Sequence, residues 1–206
     1  MLLYDHISTP IGTVLAGATS EGICILEFTD TQDFKHRIAK VEQYLTMKAV
    51  KGKNIHLLRL NESLNQYFNH QLTEFDIPLK FIGTDFQVAI WKALLFIPCG
   101  RTYTYANFSD ILDRPRAIRA IAAAIGQNHL SILVPCHRVV GSDNKLVGYS
   151  GGLWRKHWLL KHETGRSTGT GEIPFSYDDL ASIPFSYHSL PKAPTISFAA
   201  PNQSKY

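Results

Sequence analysis

The sequence predicts two small domains, an α/β domain with a small antiparallel sheet followed by a mainly helical domain with a winged helix-turn-helix. Near the start of the chain, short apolar runs are separated by glycine turns, which is typical of hairpin-linked strands. In the second half, two short helical patterns are joined by a tight turn. A length of 206 residues with 45% hydrophobic residues allows both domains to bury a core.

The predicted domain boundaries follow from changes in the character of the sequence. We place the first domain at residues 1–80 and the second at residues 81–165. Residues 166–206 are rich in Ser, Thr, Gly and Pro, and they contain Ile-Pro-Phe-Ser-Tyr twice, at 173–177 and 183–187. We predict a disordered or loosely docked tail there, with a partner-binding motif as the alternative.

The first domain is predicted to hold three strands and two helices. Apolar runs separated by turns predict strands at residues 2–7, 13–18 and 23–28. Helical periodicity predicts helices at residues 32–43 and 55–68. Because this region contains no group of catalytic side chains, we interpret it as a supporting domain.

The second domain is predicted to open with a capped helix. Thr84 and Gln87 have the spacing of a capping box, with a hydroxyl at the N-cap and an amide three residues later. Pro98 and Gly100 are expected to end this helix. Its predicted buried residues are Phe86, Ile90, Trp91 and Leu94.

A predicted helix-turn-helix follows. Thr104 is expected to cap a helix at residues 105–112, which stops at the turn of residues 113–115. A further helix is predicted from about Arg116 to Ile125, with Gly126 as its stop.

The two faces of this last helix predict different surroundings. One face is expected to pack inward, and it comprises Ile118, Ile121, Ala122 and Ile125. The opposite face is nearly bare, and it comprises Arg116, Ala120, Ala123 and Gln127, flanked by Arg119 and Ala124. Short side chains allow a helix to approach a shallow surface such as a DNA minor groove closely. The alternative is that these alanines are simply good helix formers.

The most informative feature of the chain is Cys136 within Pro-Cys-His-Arg-Val. The apolar run 132–134 predicts a buried strand ending at this cysteine. A thiol is mostly protonated at neutral pH, so a nucleophilic Cys136 needs a base, and His137 is the nearest one. Considered alone, a Cys-His pair is weak evidence, because buried cysteines are often only small apolar residues.

Three further features complete the second domain. Residues 141–144 predict a hairpin-like wing, and the glycine-rich stretch 148–152 leads into a final amphipathic helix at about 153–162.

Composition and charge limit the function. The sequence has no apolar run of membrane-spanning length and no basic leader, so we expect a cytoplasmic protein. Three widely spaced cysteines fit free thiols rather than disulfides or a zinc site, and we predict no metal. Between Asp85 and Glu163 ten basic residues face five acidic ones, which favours a polyanionic partner such as DNA. A solvated basic face is the alternative interpretation.

Several motifs together resemble the O6-alkylguanine-DNA alkyltransferases, the methylated-DNA-protein-cysteine methyltransferase family. In the second domain the matching segments are 84–87, 135–139 and 148–153. A tyrosine and an arginine also lie at the expected separations upstream of Cys136, at Tyr105 and Arg119. Segments 9–12, 26–28 and 67–68 resemble the first domain of that family. The resemblance covers about residues 1–163, and it implies a ribonuclease H-like first domain and a winged helix-turn-helix second domain.

The resemblance implies a catalytic role for four residues. Cys136 would accept the alkyl group, and His137 would deprotonate it through a bridging water. Glu163 would orient the imidazole, and Tyr105 would donate a proton to the departing guanine.

The resemblance also implies contacts to DNA and to the extruded base. Arg119 would enter the duplex in place of the flipped nucleotide, and Asn128 would tie the recognition helix to the active-site strand. The predicted DNA-binding residues are Arg119, Ala117, Ala120, Ala122 and Asn128. The predicted base-pocket residues are Val139, Tyr149, Ser150 and Gly151. The sequence departs from the family pattern at His129, where proline is usual, and at Ala122 and Ala123, which are often glycine.

The function implied is direct reversal of DNA damage. The protein would transfer an alkyl group from O6-alkylguanine, and in a wider reading from O4-methylthymine, to its own cysteine in a single turnover. It would act as a monomer on double-stranded DNA, without a cofactor or a membrane. Two alternatives stay open, a non-catalytic lesion-binding or regulatory protein and a cysteine hydrolase of a small molecule.

Overall fold

A four-stranded sheet forms the N-terminal part of the computed structural model, which describes residues 1–164 apart from the side chain of Asp143. The strand order is β3-β2-β1-β4. The strands are β1 (Leu2–Thr9), β2 (Gly12–Thr19), β3 (Gly22–Phe28) and β4 (Ala49–Lys51). The three predicted strands are confirmed as an antiparallel meander, and β4, which pairs with β1 in parallel, was not predicted because it is only three residues long.

Two helices pack with this sheet, α1 (Phe34–Leu45) and α2 (Ile55–Phe68). Helix α1 begins two residues later than predicted, because Asp33 is its N-cap. Helix α2 has the predicted bounds, and the Asn54 side chain caps it by accepting a hydrogen bond from the Leu57 amide at 3.0 Å. The inner face of α2 buries Leu57, Leu60, Leu64 and Tyr67.

The second part of the chain begins with helix α3 (Asp85–Leu94). Both hydrogen bonds of the predicted capping box are present, which confirms the start of this helix. It ends at Leu94, before Pro98, and Phe86 is only partly buried because it lies in the first turn. The Trp91 indole donates a hydrogen bond of 2.8 Å to the Ala124 carbonyl and so ties α3 to a later helix.

Two helices occupy the segment of the predicted helix-turn-helix, α4 (Tyr105–Ile111) and α5 (Ile118–Gly126), joined through a 3₁₀ turn at Pro115–Ala117. Helix α5 starts later than predicted because proline opens the 3₁₀ turn, and Gly126 is its last residue rather than a stop beyond it. The face prediction was wrong for Ile118, which is 37% exposed, and for Ala124, which is buried against Trp91. Ala122, expected to face inward, is only partly buried.

The predicted strand before Cys136 is absent. Residues 130–135 form a loop with one bridge from Leu130 to Leu26, and Ile132 has a φ of +70°. The run is buried as predicted, but beyond the contact of residues 130–131 with Leu26 of β3 its backbone is bound by turn hydrogen bonds and by a side chain, described below, instead of by a continuous strand ladder. Cys136 is the first residue of a 3₁₀ turn, Cys136–Arg138.

Short elements connect this turn to the last helix. Strand β6 (Val139–Val140) pairs in parallel with β5 (Tyr103–Thr104). The predicted wing is a 3₁₀ turn, Ser142–Asn144, closed by a 2.8 Å hydrogen bond from the Gly141 amide to the Lys145 carbonyl. Helix α6 (Leu153–Glu163) follows, one residue longer than predicted.

One hydrophobic core extends through both parts of the chain. It joins Leu26 and Phe28 of the sheet to Ile90, Leu130 and Leu159. Within residues 1–164, no helix combines the length and hydrophobicity that crossing a membrane requires. The predicted tail and its repeat lie outside the described residues.

Candidate active site

The structure places Cys136 in the interior, with the residue only 4% exposed. The Asn128 amide donates a hydrogen bond to its Sγ over 3.3 Å. Burial raises the pKa of the Cys136 thiol, and the Asn128 bond and the Lys156 charge offset only part of that rise. The free sulfur therefore requires a base before it can attack.

Asn128 fixes the loop that carries this cysteine. Its Nδ2 donates to the Val134 carbonyl at 3.0 Å, and its Oδ1 accepts from the Leu130 amide at 2.9 Å. These bonds replace the ladder that a strand would have provided. Asn128 is 1% exposed and its amide faces the sulfur, so its side chain ties the end of helix α5 to the loop of Cys136.

His137 is fully buried beside Glu163, and its Nε2 lies 3.1 Å from Glu163 Oε1. Its Nδ1 has no hydrogen-bond partner among the described residues. Burial lowers the pKa of His137, and the Glu163 charge opposes this shift. A neutral imidazole that donates from Nε2 to the carboxylate keeps a free lone pair on Nδ1, which is the arrangement a general base requires.

Adjacent residues on a strand point to opposite faces, so a strand at this position would separate the Cys136 and His137 side chains. A 3₁₀ turn has about three residues per turn, so neighbouring side chains diverge by roughly 120° instead. The observed turn therefore does not direct these two side chains to opposite faces.

Glu163 is the acceptor at the centre of the buried cluster. Arg138 binds both of its oxygens, from Nε at 2.8 Å and from Nη2 at 2.9 Å. The Tyr67 hydroxyl donates to Oε1 at 2.7 Å. Burial alone would raise the pKa of Glu163, but His137 and Arg138 hold it well below its usual range. The carboxylate is therefore charged under all physiological conditions.

Sequence reasoning missed two members of this cluster. Arg138 was part of the quoted motif but was given no role. Its position in the sequence, directly before the apolar pair Val139 and Val140, was the available signal that it could be buried. Tyr67 lies 96 residues from Glu163, and only its place in the resembling segment 67–68 singled it out.

The structure brings Tyr105 and Tyr149 to the same region as the sulfur. Tyr105, the first residue of α4, is partly buried, and its pKa is raised by burial and by the Cys136 charge. The Tyr149 hydroxyl is buried without a hydrogen-bond partner among the described residues, and its ring meets the His137 ring edge to face at 6.4 Å. Burial, with a further contribution from Cys136, raises the pKa of Tyr149 well above its ordinary value.

The glycine-rich stretch 148–152 packs closely against two aromatic rings. A Cβ on Gly151 would lie 2.7 Å from the Tyr149 ring and 2.8 Å from the Phe28 ring, so this close approach requires glycine. Ser150 beside it is partly exposed.

Lys156, which sequence reasoning missed, donates from Nζ to the carbonyls of Val139 and Val147, each at 2.6 Å. Burial lowers the pKa of Lys156 to about 8, and the Cys136 charge partly opposes that shift.

Two arginines, one from each part of the chain, connect the N-terminal part to this site. Arg155 donates to the Gly151 carbonyl at 2.8 Å and forms an ion pair of 2.7 Å with Asp30. Arg37 donates to the carbonyls of Gly126 and Asn128, at the end of helix α5.

The remaining predicted DNA-binding residues lie on or near the surface. Arg119 and Ala120 are exposed, whereas Ala117 and Ala122 are partly buried. Among residues 1–164, no cluster of three or more His, Cys, Asp or Glu side chains could hold a metal ion.

Two family models together match nearly all of the described residues. Residues 2–81 match the family model of the ribonuclease-like domain of 6-O-methylguanine DNA methyltransferase. Residues 85–165 match the model of the DNA-binding domain of the same protein. The chain belongs to the 6-O-methylguanine DNA methyltransferase family. The family resemblance predicted from sequence is thereby confirmed.

The similarity extends over nearly the whole length of several members of the 6-O-methylguanine DNA methyltransferase family. A methylated-DNA-protein-cysteine methyltransferase of Methanosarcina barkeri is 39% identical over 162 residues, which cover 79% of this chain and 97% of the relative. The crystal structure of the O6-methylguanine methyltransferase of Mycobacterium tuberculosis has a TM-score of 0.68 at 37% identity, covering 81% of this chain and 95% of that one. The Mycobacterium tuberculosis protein OGT has also been solved in complex with DNA, with a TM-score of 0.68 at 36% identity, covering 80% of this chain and 94% of that one.

Proposed function

We propose that this protein repairs DNA by direct reversal, transferring the alkyl group of O6-alkylguanine irreversibly to Cys136. The observation that carries the proposal is the buried relay, in which Glu163 binds His137 Nε2 and leaves Nδ1 free beside a cysteine. Membership of the 6-O-methylguanine DNA methyltransferase family supports the same chemistry.

The proton transfer begins with the thiol. Burial keeps Cys136 protonated and His137 neutral at neutral pH, so the pair starts as an acid beside a base. When the thiol proton moves to Nδ1, through a bridging water, the Glu163 carboxylate stabilises the imidazolium. The sulfur becomes a nucleophile only when the base is in place.

The alkyl transfer is a single displacement at carbon. The bond from Sγ to the alkyl carbon forms while the bond from that carbon to guanine O6 breaks. Guanine is a poor leaving group as an anion, so Tyr105 donates a proton to a ring nitrogen as the base departs. The raised pKa of Tyr105 keeps its hydroxyl protonated until that step. The product is a thioether, which none of these groups hydrolyses, and each molecule therefore acts once.

Access to a lesion within a duplex requires base flipping. Unstacking costs a few kcal/mol, which a wedge residue and a fitted pocket offset. Arg119, which is exposed on helix α5, enters the duplex in this proposal, and the short side chain of the exposed Ala120 beside it permits close approach. Val139, Tyr149, Ser150 and Gly151 form the pocket for the extruded base.

The structural and cellular setting is part of the proposal. The domains divide at about residue 80, into a ribonuclease H-like unit and a winged helix-turn-helix unit. The protein acts as a cytoplasmic monomer on alkylated guanine in double-stranded DNA, with O4-methylthymine as a second substrate to be tested.

Stoichiometry tests the proposal. Incubation with an excess of duplex containing O6-methylguanine should consume one lesion per protein molecule and then stop. Cys136→Ala should bind the duplex and consume none, with Cys24→Ala as the matched control because Cys24 lies in the sheet. Binding without consumption by the native protein would favour the lesion-binding alternative. Continued turnover would favour a hydrolase.

A further inference from the structure

The N-terminal domain supplies one hydroxyl to the buried relay. Tyr67 lies near the end of helix α2, is 0% exposed, and donates to Glu163 Oε1 at 2.7 Å. Its ring is fixed by Phe75 at 5.3 Å and by His162 at 5.0 Å between centroids. The hydroxyl therefore has a defined position that depends on the packing of α2 against α6.

Three donors converge on the same carboxylate oxygen. Glu163 Oε1 accepts from the Tyr67 hydroxyl at 2.7 Å, from Arg138 Nη2 at 2.9 Å and from His137 Nε2 at 3.1 Å. A carboxylate offers about two lone-pair sites per oxygen, so three donors compete for them. The tyrosine bond is the shortest and the histidine bond is the longest. The hydroxyl therefore withdraws part of the negative charge that would otherwise attract the imidazolium.

We propose that Tyr67 is a positioning residue of the alkyl-transfer relay, whose hydroxyl orients Glu163 and limits the strength of its bond to His137. The inference rests on the proposed function and adds to it a contribution from the domain interpreted as a support. The Tyr67 hydroxyl binds the Glu163 carboxylate, and in this proposal it acts only through that carboxylate.

Its protonation state suits this role. Burial and the Glu163 charge raise the pKa of Tyr67 well above its ordinary value, so its hydroxyl remains a donor across the working range. The other charged or titratable groups near Tyr67 are Arg138, Cys99 and His162. The titratable or charged groups around the His137 imidazole are Cys136, Arg138, Tyr149, Lys156 and Glu163.

The test compares the intact protein with Tyr67→Phe, which keeps the ring and removes the hydroxyl. Without the competing donor, Oε1 binds the imidazolium more strongly, so the pKa of His137 should rise by roughly one unit. The acid limb of the methyl-transfer rate should move to higher pH by the same amount. At acidic pH, where the rate falls as His137 becomes protonated, transfer by Tyr67→Phe should be about tenfold slower than in the native protein.

Two measurements separate the possible outcomes. NMR titration of the His137 ring reads the effect without any DNA, and single-turnover methyl transfer against pH reads it in the reaction. Tyr44→Phe is the matched control, because Tyr44 is 51% exposed on helix α1. An unchanged His137 titration would overturn the proposal, and so would a uniform slowing at every pH, which marks a merely structural role. If the native protein transfers no methyl group, the proposed function fails while the titration still decides the role of Tyr67.

Discussion

At the scale of single residues, the site combines one permanent charge pair with two groups held neutral by burial. Arg138 and Glu163 share two hydrogen bonds in the interior, which is the geometry that a buried ion pair needs to offset its desolvation. Cys136 and His137 stay neutral beside them, because no partner of theirs compensates fully for the loss of solvent. In the proposed reaction, activation of the sulfur requires that one proton move between these two groups.

The same environment predicts that acid destabilises the fold in two steps. His137 has a pKa below its ordinary 6.5, so the unfolded chain takes up its proton first and stability falls as the pH drops below 6.5. Glu163 has a depressed pKa, so its contribution is lost as the pH falls below 4.5, its ordinary value. Urea denaturation across this range should show a smaller loss of unfolding free energy between pH 6.5 and 4.5 in His137→Gln. Identical slopes for the two proteins would disprove this account of His137.

The roles of residues could be predicted from sequence only where the signal was local. Cys136 and His137 were identified through a local motif and Glu163 through the family resemblance, and the structure brings His137 and Glu163 together. The tie made by Asn128 was expected from the resemblance, but the loop that it binds was not, because such a loop has no local hydrogen-bonding pattern. Tyr67 and Arg155 depend on contacts between distant segments, which no sequence spacing encodes.

At the scale of elements, end signals and periodicity predicted the helices well. The capping box at Thr84 and the apolar face of α2 were confirmed because both depend on neighbouring residues. The strand predicted before Cys136 was wrong for a physical reason. Its apolar residues are buried in a loop, since Asn128 binds the carbonyl groups that a strand partner would have taken.

Helix α3 gives a direct test of the capping box. Thr84→Ala removes the oxygen that accepts from the Gln87 amide, and it should cost about 1 kcal/mol of unfolding free energy. Thr84→Ser keeps the hydroxyl and is the matched control, expected to lose much less. Urea denaturation measures both, and equal losses would show that the hydroxyl is not what stabilises this helix start.

Helix α5 gives a test of close approach to DNA. Ala120 is exposed, so Ala120→Leu should leave the unfolding free energy unchanged but hold the helix backbone away from the duplex. We expect roughly tenfold weaker binding to a lesion-containing duplex, which corresponds to about 1.4 kcal/mol. Asn61→Leu, at an exposed position of α2, is the control for added surface hydrophobicity. Equal binding by both variants would argue against contact between this face and DNA.

At the scale of the whole molecule, the two sequence domains are joined by shared structure. The hydrophobic core crosses the boundary, Leu26 bridges to Leu130, and Arg155 links α6 to Asp30. Tyr67 adds a hydrogen bond from the first domain to the relay. The N-terminal part therefore contributes to the geometry of the site as well as to its support.

This integration predicts a single unfolding transition for residues 1–164. All three tryptophans, Trp91, Trp154 and Trp158, lie in the second domain, so their fluorescence reports that domain alone. Hydrogen exchange of the amides in β1 to β3 reports the first domain. Both signals should give the same urea midpoint, because the core they share is lost at once. Loss of the sheet amides at a lower urea concentration would show that the domains unfold separately.

The central claim is that the sulfur of Cys136 takes the alkyl group from guanine. The most direct measurement uses a duplex whose O6-methyl group carries an isotope label, followed by peptide mass spectrometry of the protein after a single incubation. The account predicts the label on the peptide that contains Cys136, as one methyl group on sulfur, with Cys24 and Cys99 unlabelled. Label on either of those two cysteines, or label retained entirely by the DNA, would contradict it.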